Sequence, residues 1–344
     1  MRSSFYYRPS DSIDLSKVSK VVLFQRKNLG DAALALPLIQ ALISCNPRVL
    51  LVVVCSDATR FLFEKEGQVN ICSDLGLKTI SEMIASDLCI DLHGRFGFRM
   101  IARLMKIPLV GFDCDRGWVK WLTHPVGITK LGSRKKIHQN LDALRRLGFQ
   151  PDINQCFRLT KEWLISKGRL PRNLPSQYIV VHPGSRWMFK TLSEMQWREL
   201  VEQLRLNTGL TVVITGGDSQ MELELGESLG SLDGVINLVG ETNISELLGV
   251  INQSSGYLGV DTFASHLASL LEIPGVVIFG PSDARVWGPT ENSPLKLFTL
   301  HSRDFDCIPC NIDGCGGGKV SQCLLGIQSG EILAQYKRAV EARV

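Results

Sequence analysis

Three observations predict that this 344-residue chain folds as an α/β protein with two doubly wound, Rossmann-like domains facing a cleft. Short apolar runs alternate with longer amphipathic stretches, the pattern of parallel strands joined by helices. The alternation occurs in two separate series. Between them lies LTKEWLISKGRLPRNLPS, whose two prolines and polar residues mark a linker preceded by a short helix.

The first series opens with the strand KVVLFQ, the helix DAALALPLIQALIS and the strand RVLLVVV. It continues through LCIDL and PLVGF to the helix HQNLDALRRLGF. Residues 1–160 therefore form a first domain, and 161–176 the linker. The second series runs from QYIVVHPG through LTVVITGG, VINLVG, GYLGV and GVVIFGP, each separated by a helical pattern. A second domain thus covers 177–327, with a Cys-rich loop at 307–323, and GEILAQYKRAVEARV makes a C-terminal helix within 328–344.

Composition narrows the function. A hydrophobic content of 44% supports buried cores rather than disorder. The net charge of +4 suits anionic ligands or an acidic membrane surface, and no charge block suggests a nucleic-acid arm. Apolar runs such as VLLVVV have strand length, not membrane-spanning length. The segment MRSSFYYRPSDSID lacks the apolar core of a signal peptide, so a cytoplasmic protein is expected.

The ten cysteines fall into two groups. Cys45, Cys55, Cys72, Cys89, Cys114 and Cys156 are scattered and read as small core residues in a reducing compartment. Cys307, Cys310, Cys315 and Cys323 cluster in a Gly-rich loop, a set that suits a structural zinc or, in an oxidising environment, two disulfides. Nothing suggests a catalytic metal.

Ligands of open parallel sheets bind at the carboxyl ends of the strands, and there the candidate chemistry gathers. GVDTFASHLASLLEIPGVVIFGPSDARVWGP sets Asp261, Thr262, Ser265 and His266 where a strand ends and a helix begins, a place suited to phosphate. After the strand QYIVVH come Ser185, Arg186 and Lys190, the last able to meet a phosphate or simply to stand in solvent. The turn TGGDSQME, opened by Thr215, brings Glu222 into a first helical turn, as a ribose ligand or as a dipole partner. GETNISELLGVI is another capped start, with Thr242 or Asn243 capping, that borders a nucleobase or holds the helix.

In the first domain, Asp31 follows Gly30 after KVVLFQ. Two roles stand for it: a helix N-cap, or a carboxylate aimed into the cleft to take a proton from a hydroxyl. DLHGRFGFR adds His93, Arg95 and Arg99, and FDCDRGWVKW adds Arg116 and Lys120, cations that meet acidic sugars or are ordinary surface charge. Trp118 and Trp121 stack on sugars, seat on a membrane interface or pack in the core.

These motifs resemble glycosyltransferase family 9, the bacterial lipopolysaccharide heptosyltransferases, over nearly the whole chain. RKNLGDAALALPLIQAL, VVHPGSRWMFKTLSEMQWREL, LVGETNISELLGVI and GVDTFASHLASLLEIPGVVIFGPSD follow that family's order and spacing. The Cys-rich tail and RVWGP look most like its heptosyltransferase III branch. The resemblance implies a GT-B fold and inverting transfer of heptose from ADP-L-glycero-D-manno-heptose to the inner core of lipopolysaccharide, without a catalytic metal or required cofactor. It also implies a cytoplasmic enzyme with peripheral contact to the inner membrane and no nucleic-acid partner.

Carried over residue by residue, Asp31 matches the family's general base and Lys190 the lysine on the donor phosphates. Glu222 falls where an acid binds ribose, and Asp261, Thr262 and His266 match the diphosphate loop. Ser185 and Thr215 complete the expected donor set, and His93, Arg95, Arg116 and Lys120 the expected acceptor set. One departure stands out: the family usually carries Gly after Asp-Thr, where this chain has Phe263. A transferase using another nucleotide sugar and a non-catalytic homologue are the alternatives.

Overall fold

The computed structural model describes residues 13–112, 122–126, 134–290, 293–298 and 305–342, in two compact units, 1–160 and 161–344. Arg116, Lys120, Cys114, Trp118 and Trp121 lie outside the described residues.

In unit 1 the elements are β1 (Lys20–Phe24), α1 (Leu29–Ala33), α2 (Leu36–Cys45), β2 (Leu50–Val54), α3 (Asp57–Phe63), β3 (Val69–Cys72) and α4 (Leu77–Ile84). There follow β4 (Leu88–Asp91), α5 (Phe96–Leu104), β5 (Leu109–Phe112), β6 (His124–Val126), α6 (Lys136–Arg146) and α7 (Ile153–Lys167), the last running across the unit boundary. All strand pairs are parallel, in the order β3-β2-β1-β4-β5-β6. Because helices cover both faces, the strands are apolar almost throughout rather than alternating. Val22, Phe24, Val52 and Val54 face one way, into a cluster with Met83 of α4 and Phe98 and Ala102 of α5.

Unit 2 contains β7 (Tyr178–His182), α8 (Glu194–Thr208), β8 (Thr211–Ile214), α9 (Gln220–Gly230), β9 (Val235–Asn237), α10 (Ile244–Asn252) and β10 (Gly256–Val260). It continues with α11 (Phe263–Leu270), β11 (Gly275–Ile278), α12 (Ala284–Trp287), β12 (Leu295–Phe298), α13 (Gln322–Leu325) and α14 (Ser329–Glu341). Its sheet is again parallel, in the order β12-β11-β10-β7-β8-β9. α14 buries Ile332, Leu333 and Tyr336 in the same core as Trp197 and Leu200 of α8.

Local chemistry sets the helix limits. Ser193 and Gln196 form a capping box at the start of α8, and Gly209 ends that helix at φ 68°, where a side chain would be strained. Asn243, not Thr242, caps α10, and Glu246 closes the box onto the Asn243 N–H at 3.0 Å. Glu246 is thereby a structural acid. The stretch read as a linker begins within α7, and Arg169 then donates its backbone N–H to the Ser245 carbonyl at 3.0 Å. Seven linker residues are therefore helical.

The units differ in charge. Residues 1–160 hold 23 Lys and Arg against 14 Asp and Glu, net +9, whereas residues 161–344 hold 15 against 20, net −5.

Candidate active site

In unit 2 the chain reverses its direction of sheet growth between β7 and β10, which pair with His182 opposite Gly259. Such a switch point parts the loops beyond the strands and opens a place for a ligand. The loop after β7 carries Ser185 and Lys190, and the loop after β10 carries Asp261 and Thr262. Lys190 Nζ meets Asp261 Oδ2 at 2.6 Å, with side-chain exposures of 22% and 6%. The ion pair fixes the lysine at the switch point, with its side chain still partly accessible.

The β7 loop is held rigidly from behind. Thr191 donates its hydroxyl to the Pro183 carbonyl at 2.6 Å and accepts from Trp197 Nε1 at 3.0 Å. Ser185 Oγ accepts the Trp187 N–H at 3.2 Å. Ser321, inside the Cys-rich segment, donates to the Phe189 carbonyl at 2.6 Å, one residue from Lys190. Sequence reasoning missed this brace. No local pattern signals a bond between residues 132 apart.

A second group lies on the β8 side. His182 Nδ1 and Thr215 Oγ1 are 2.9 Å apart and both residues are buried. Burial pushes the His182 imidazole down to about 4, against the opposing pull of the Glu222 charge, so the ring is neutral at pH 7. Glu222 accepts from the Gly217 N–H at 3.0 Å and the Ser219 hydroxyl at 2.7 Å. It also lies against Gly184, where a β-carbon would collide with the carboxylate. His182 has no predicted role, although its place at the strand end was visible in VVHPG.

At the start of α11, Thr262 is the N-cap residue and Phe263 the first helical residue. Ser265 Oγ accepts the Thr262 N–H at 3.2 Å and donates to the Thr262 carbonyl at 2.7 Å, so the expected hydroxyl donor is committed to capping. His266 is buried in the second turn. Lys190, Asp261 and Thr262 are thus brought together, with Ser185 on the adjoining loop; Thr215 and Glu222 form the neighbouring group.

Unit 1 presents a different arrangement. Asn28, not Asp31, occupies the N-cap of α1, and Asp31 is the helix's third residue. Its Oδ1 is buried and accepts no hydrogen bond from the described residues. The capping role is therefore excluded. β4 lies beside β1, with Asp91 opposite Phe24, so the loop bearing His93 emerges next to the loop bearing Asp31.

Asp91 organises that loop. Its Oδ1 accepts the backbone N–H of His93 and Gly94, each at 3.0 Å, and its Oδ2 accepts that of Arg95 at 3.1 Å. Arg99 Nε donates to the same carboxylate at 2.5 Å, and its terminal nitrogen donates to the Phe112 carbonyl at 2.9 Å. Arg99 is fully buried, which corrects its reading as a ligand-facing cation: it ties the end of β4 to that of β5. Arg95 extends to the surface. Both ring nitrogens of His93 are shielded and unpartnered among the described residues. Burial, followed by the charges of Lys27 and Lys136, pushes the ring down to about 3. Lys136 itself sits over the Phe112 ring at 5.0 Å. Lys27 and Lys136 therefore join the predicted cations of this region; Lys27 stood in RKNLGD, but only the fold brings Lys136 near it.

The four clustered cysteines are free thiols. Among the described residues no three His, Cys, Asp or Glu side chains are gathered so as to hold a metal ion, so zinc, one of the alternatives for this loop, finds no ready site there. Asn311, Gly314, Gly316, Gly317 and Lys319 all take positive φ and turn the loop repeatedly. Cys307 and Cys315 end exposed, while Cys323 enters the core of unit 2. Burial first, and then the neighbouring cysteines, push the Cys323 thiol up to about 11.

The fold, two parallel six-stranded sheets with their helices, is the GT-B architecture. The chain belongs to glycosyltransferase family 9 (heptosyltransferase), whose family model matches residues 70–311. Lipopolysaccharide heptosyltransferase 3 of Escherichia coli K12 is 25% identical over 301 residues, which cover 81% of this chain and 83% of that protein. Lipopolysaccharide heptosyltransferase 1 of Pseudomonas aeruginosa is 27% identical over 238 residues, covering 65% and 61% respectively. Among solved structures, E. coli ADP-heptose lps heptosyltransferase II superposes with a TM-score of 0.70 at 18% identity, covering 94% of this chain and 99% of that one. E. coli heptosyltransferase WaaC with ADP gives a TM-score of 0.68 at 17% identity, covering 94% and 100%. At these identities the solved structures support the fold.

Proposed function

We propose that the protein is an inverting heptosyltransferase that uses ADP-heptose as donor and the inner core of lipopolysaccharide as acceptor. The observation that carries this is Asp31, whose carboxylate stands in a helical first turn yet has one oxygen buried and unpartnered. A base must keep its lone pairs free for the proton it removes. As the acceptor hydroxyl attacks the anomeric carbon, its proton passes to Asp31, the glycosidic bond forms, and the bond to ADP breaks with inversion.

The departing diphosphate gathers negative charge. Lys190, steadied by Asp261, and the first amides of α11 are suited to receive it. Ser185, Thr262 and His266 border this diphosphate site. Glu222 retains acceptor capacity beyond its two internal hydrogen bonds and takes the ribose hydroxyls, with Thr215 and neutral His182 beside it. In unit 1, His93, Arg95, Arg116 and Lys120, with Lys27 and Lys136, meet the acidic groups of the acceptor.

We place the enzyme in the cytoplasm, in peripheral contact with the inner membrane. No helix among the described residues is long and apolar enough to cross a membrane. The test is an assay of the purified protein with ADP-heptose and a set of truncated lipopolysaccharide cores, alongside thermal shifts with ADP, UDP, GDP and CDP. Transfer to one core and stabilisation by ADP are expected. Transfer to none by a folded protein, or stabilisation by UDP but not ADP, contradicts the assignment.

A further inference from the structure

The outer face of unit 1 formed by α4 and α5 has an unusual composition. Both helices turn one side to the sheet: Thr79 and Met83 of α4 and Phe98, Arg99 and Ala102 of α5 are buried. At 3.6 residues per turn, the opposite side of α4 carries Leu77, Ser81 and Ile84, and that of α5 carries Phe96, Met100 and Leu104. Most of the apolar members stay in solvent. Leu77 is 88% exposed, Ile84 56%, Phe96 39% and Leu104 66%, and Met105 just beyond is 48% exposed. Five of the twelve exposed large hydrophobic side chains among the described residues thus fall between positions 77 and 105.

Cations surround them. Lys78, Arg103 and Lys106 form no ion pair among the described residues. The nearby acids are turned to other tasks. Glu82 pairs with Lys20 at 2.6 Å, Asp87 accepts the backbone N–H of Ser19 and Lys20 at 2.7 and 3.0 Å, and Asp74 accepts that of Gly76 at 2.9 Å. In unit 2 the balance differs: the exposed Met195 and Leu206 of α8 share that helix with Glu194, Glu199 and Glu202, while its Arg198 and Arg205 are bonded to Ser228 and Asp233. The +9 charge of unit 1 against −5 for unit 2 extends the contrast to whole units.

We propose that the α4–α5 face docks on an anionic lipid surface. Apolar side chains enter the boundary between headgroups and acyl chains, while lysine and arginine stay at the phosphates. A second copy of this chain fits poorly, because a two-fold contact through this face would oppose cations to cations. Docking here would bring unit 1 to a lipid-anchored acceptor. Only this purpose rests on the transfer assignment, since lipid binding is measured without any sugar.

Flotation of the full-length protein with phosphatidylcholine vesicles, with and without phosphatidylglycerol, tests the proposal. Recovery with the phosphatidylglycerol vesicles alone is expected, with release as salt is raised. The double change Leu77→Glu, Leu104→Glu lowers the partition coefficient by about tenfold or more, and Lys78→Ala and Lys106→Ala lower it roughly fivefold each. Circular dichroism and the ADP thermal shift report that the variants remain folded. Equal binding to both vesicles, no binding to either, or binding unchanged in the double variant overturns the proposal. So does a dimer, seen by sedimentation, that dissociates in the double variant. Transfer onto a lipid-free core oligosaccharide keeps its parental rate in the Leu77→Glu, Leu104→Glu protein. Absence of that transfer in the parent contradicts the enzymatic assignment and leaves the vesicle result standing.

Discussion

The two units differ in how far the polar groups at their strand ends satisfy one another. In unit 2 most of these groups satisfy one another: Lys190 with Asp261, His182 with Thr215, and Glu222 with Gly217 and Ser219, while the buried Tyr257 hydroxyl has no partner among the described residues. In unit 1 an oxygen of Asp31 and both ring nitrogens of His93 are shielded and have no partner among the described residues. A buried polar atom left unpaired costs about 1–3 kcal/mol, so such atoms concentrate where a ligand completes them. The contrast fits a donor site built in advance and an acceptor site whose partners arrive with the substrate.

The strongest way to break this contrast is to remove the frame of unit 1. Arg99→Ala leaves the buried Asp91 carboxylate without its cation and frees the Phe112 carbonyl, a loss of about 3–5 kcal/mol. Chemical denaturation should show an early transition confined to unit 1, with ADP affinity retained by the remaining folded unit. A single shifted transition for the whole chain would contradict the independence of the two frames.

Acid sharpens the comparison next. The folded-state value for His182 lies near 4, below the usual value near 6.5, because the neutral ring is the buried form. Between these values the unfolded chain binds the extra proton, so stability falls as pH drops from about 6.5 to 4, by up to roughly 3 kcal/mol. His93, near 3, extends the same loss to lower pH. His182→Gln should flatten the upper part of this profile in thermal melts. An unchanged profile would show that the ring is not the titrating group.

A smaller effect is expected at the switch point. Lys190→Met removes the cation offered to the diphosphate and should weaken ADP binding about tenfold by calorimetry. Adding Asp261→Asn should recover stability by relieving the unpaired acid, but not ADP affinity. Recovery of both would reduce the lysine to a structural partner of Asp261.

Much of this was legible in the residues. Parallel strands buried on both faces read as continuous apolar runs, so KVVLF, LLVVV and YIVVH mark the sheets, and Gly, Pro and acidic residues mark the helix starts at their ends. What stayed hidden depends on long-range pairing. Arg99 reads as a surface cation until the fold buries it on Asp91. Asp31 reads first as a helix cap and only then as a base until Asn28 takes the cap position. Spacing alone makes four cysteines a metal candidate, whereas the positive-φ turns at Gly314, Gly316 and Gly317 leave Cys315 outside and Cys323 in the core. The brace from Ser321 to the Lys190 loop has no local signature at all.

The central claim is that unit 1 supplies the base and unit 2 holds the donor. It is tested most directly by Asp31→Asn, with single-turnover transfer and ADP affinity measured on the same preparation. Removal of a general base predicts a fall in the transfer rate of about 10²–10⁴-fold, with the ADP dissociation constant unchanged. A transfer rate near the parental value, or a loss explained by weaker ADP binding, would contradict it.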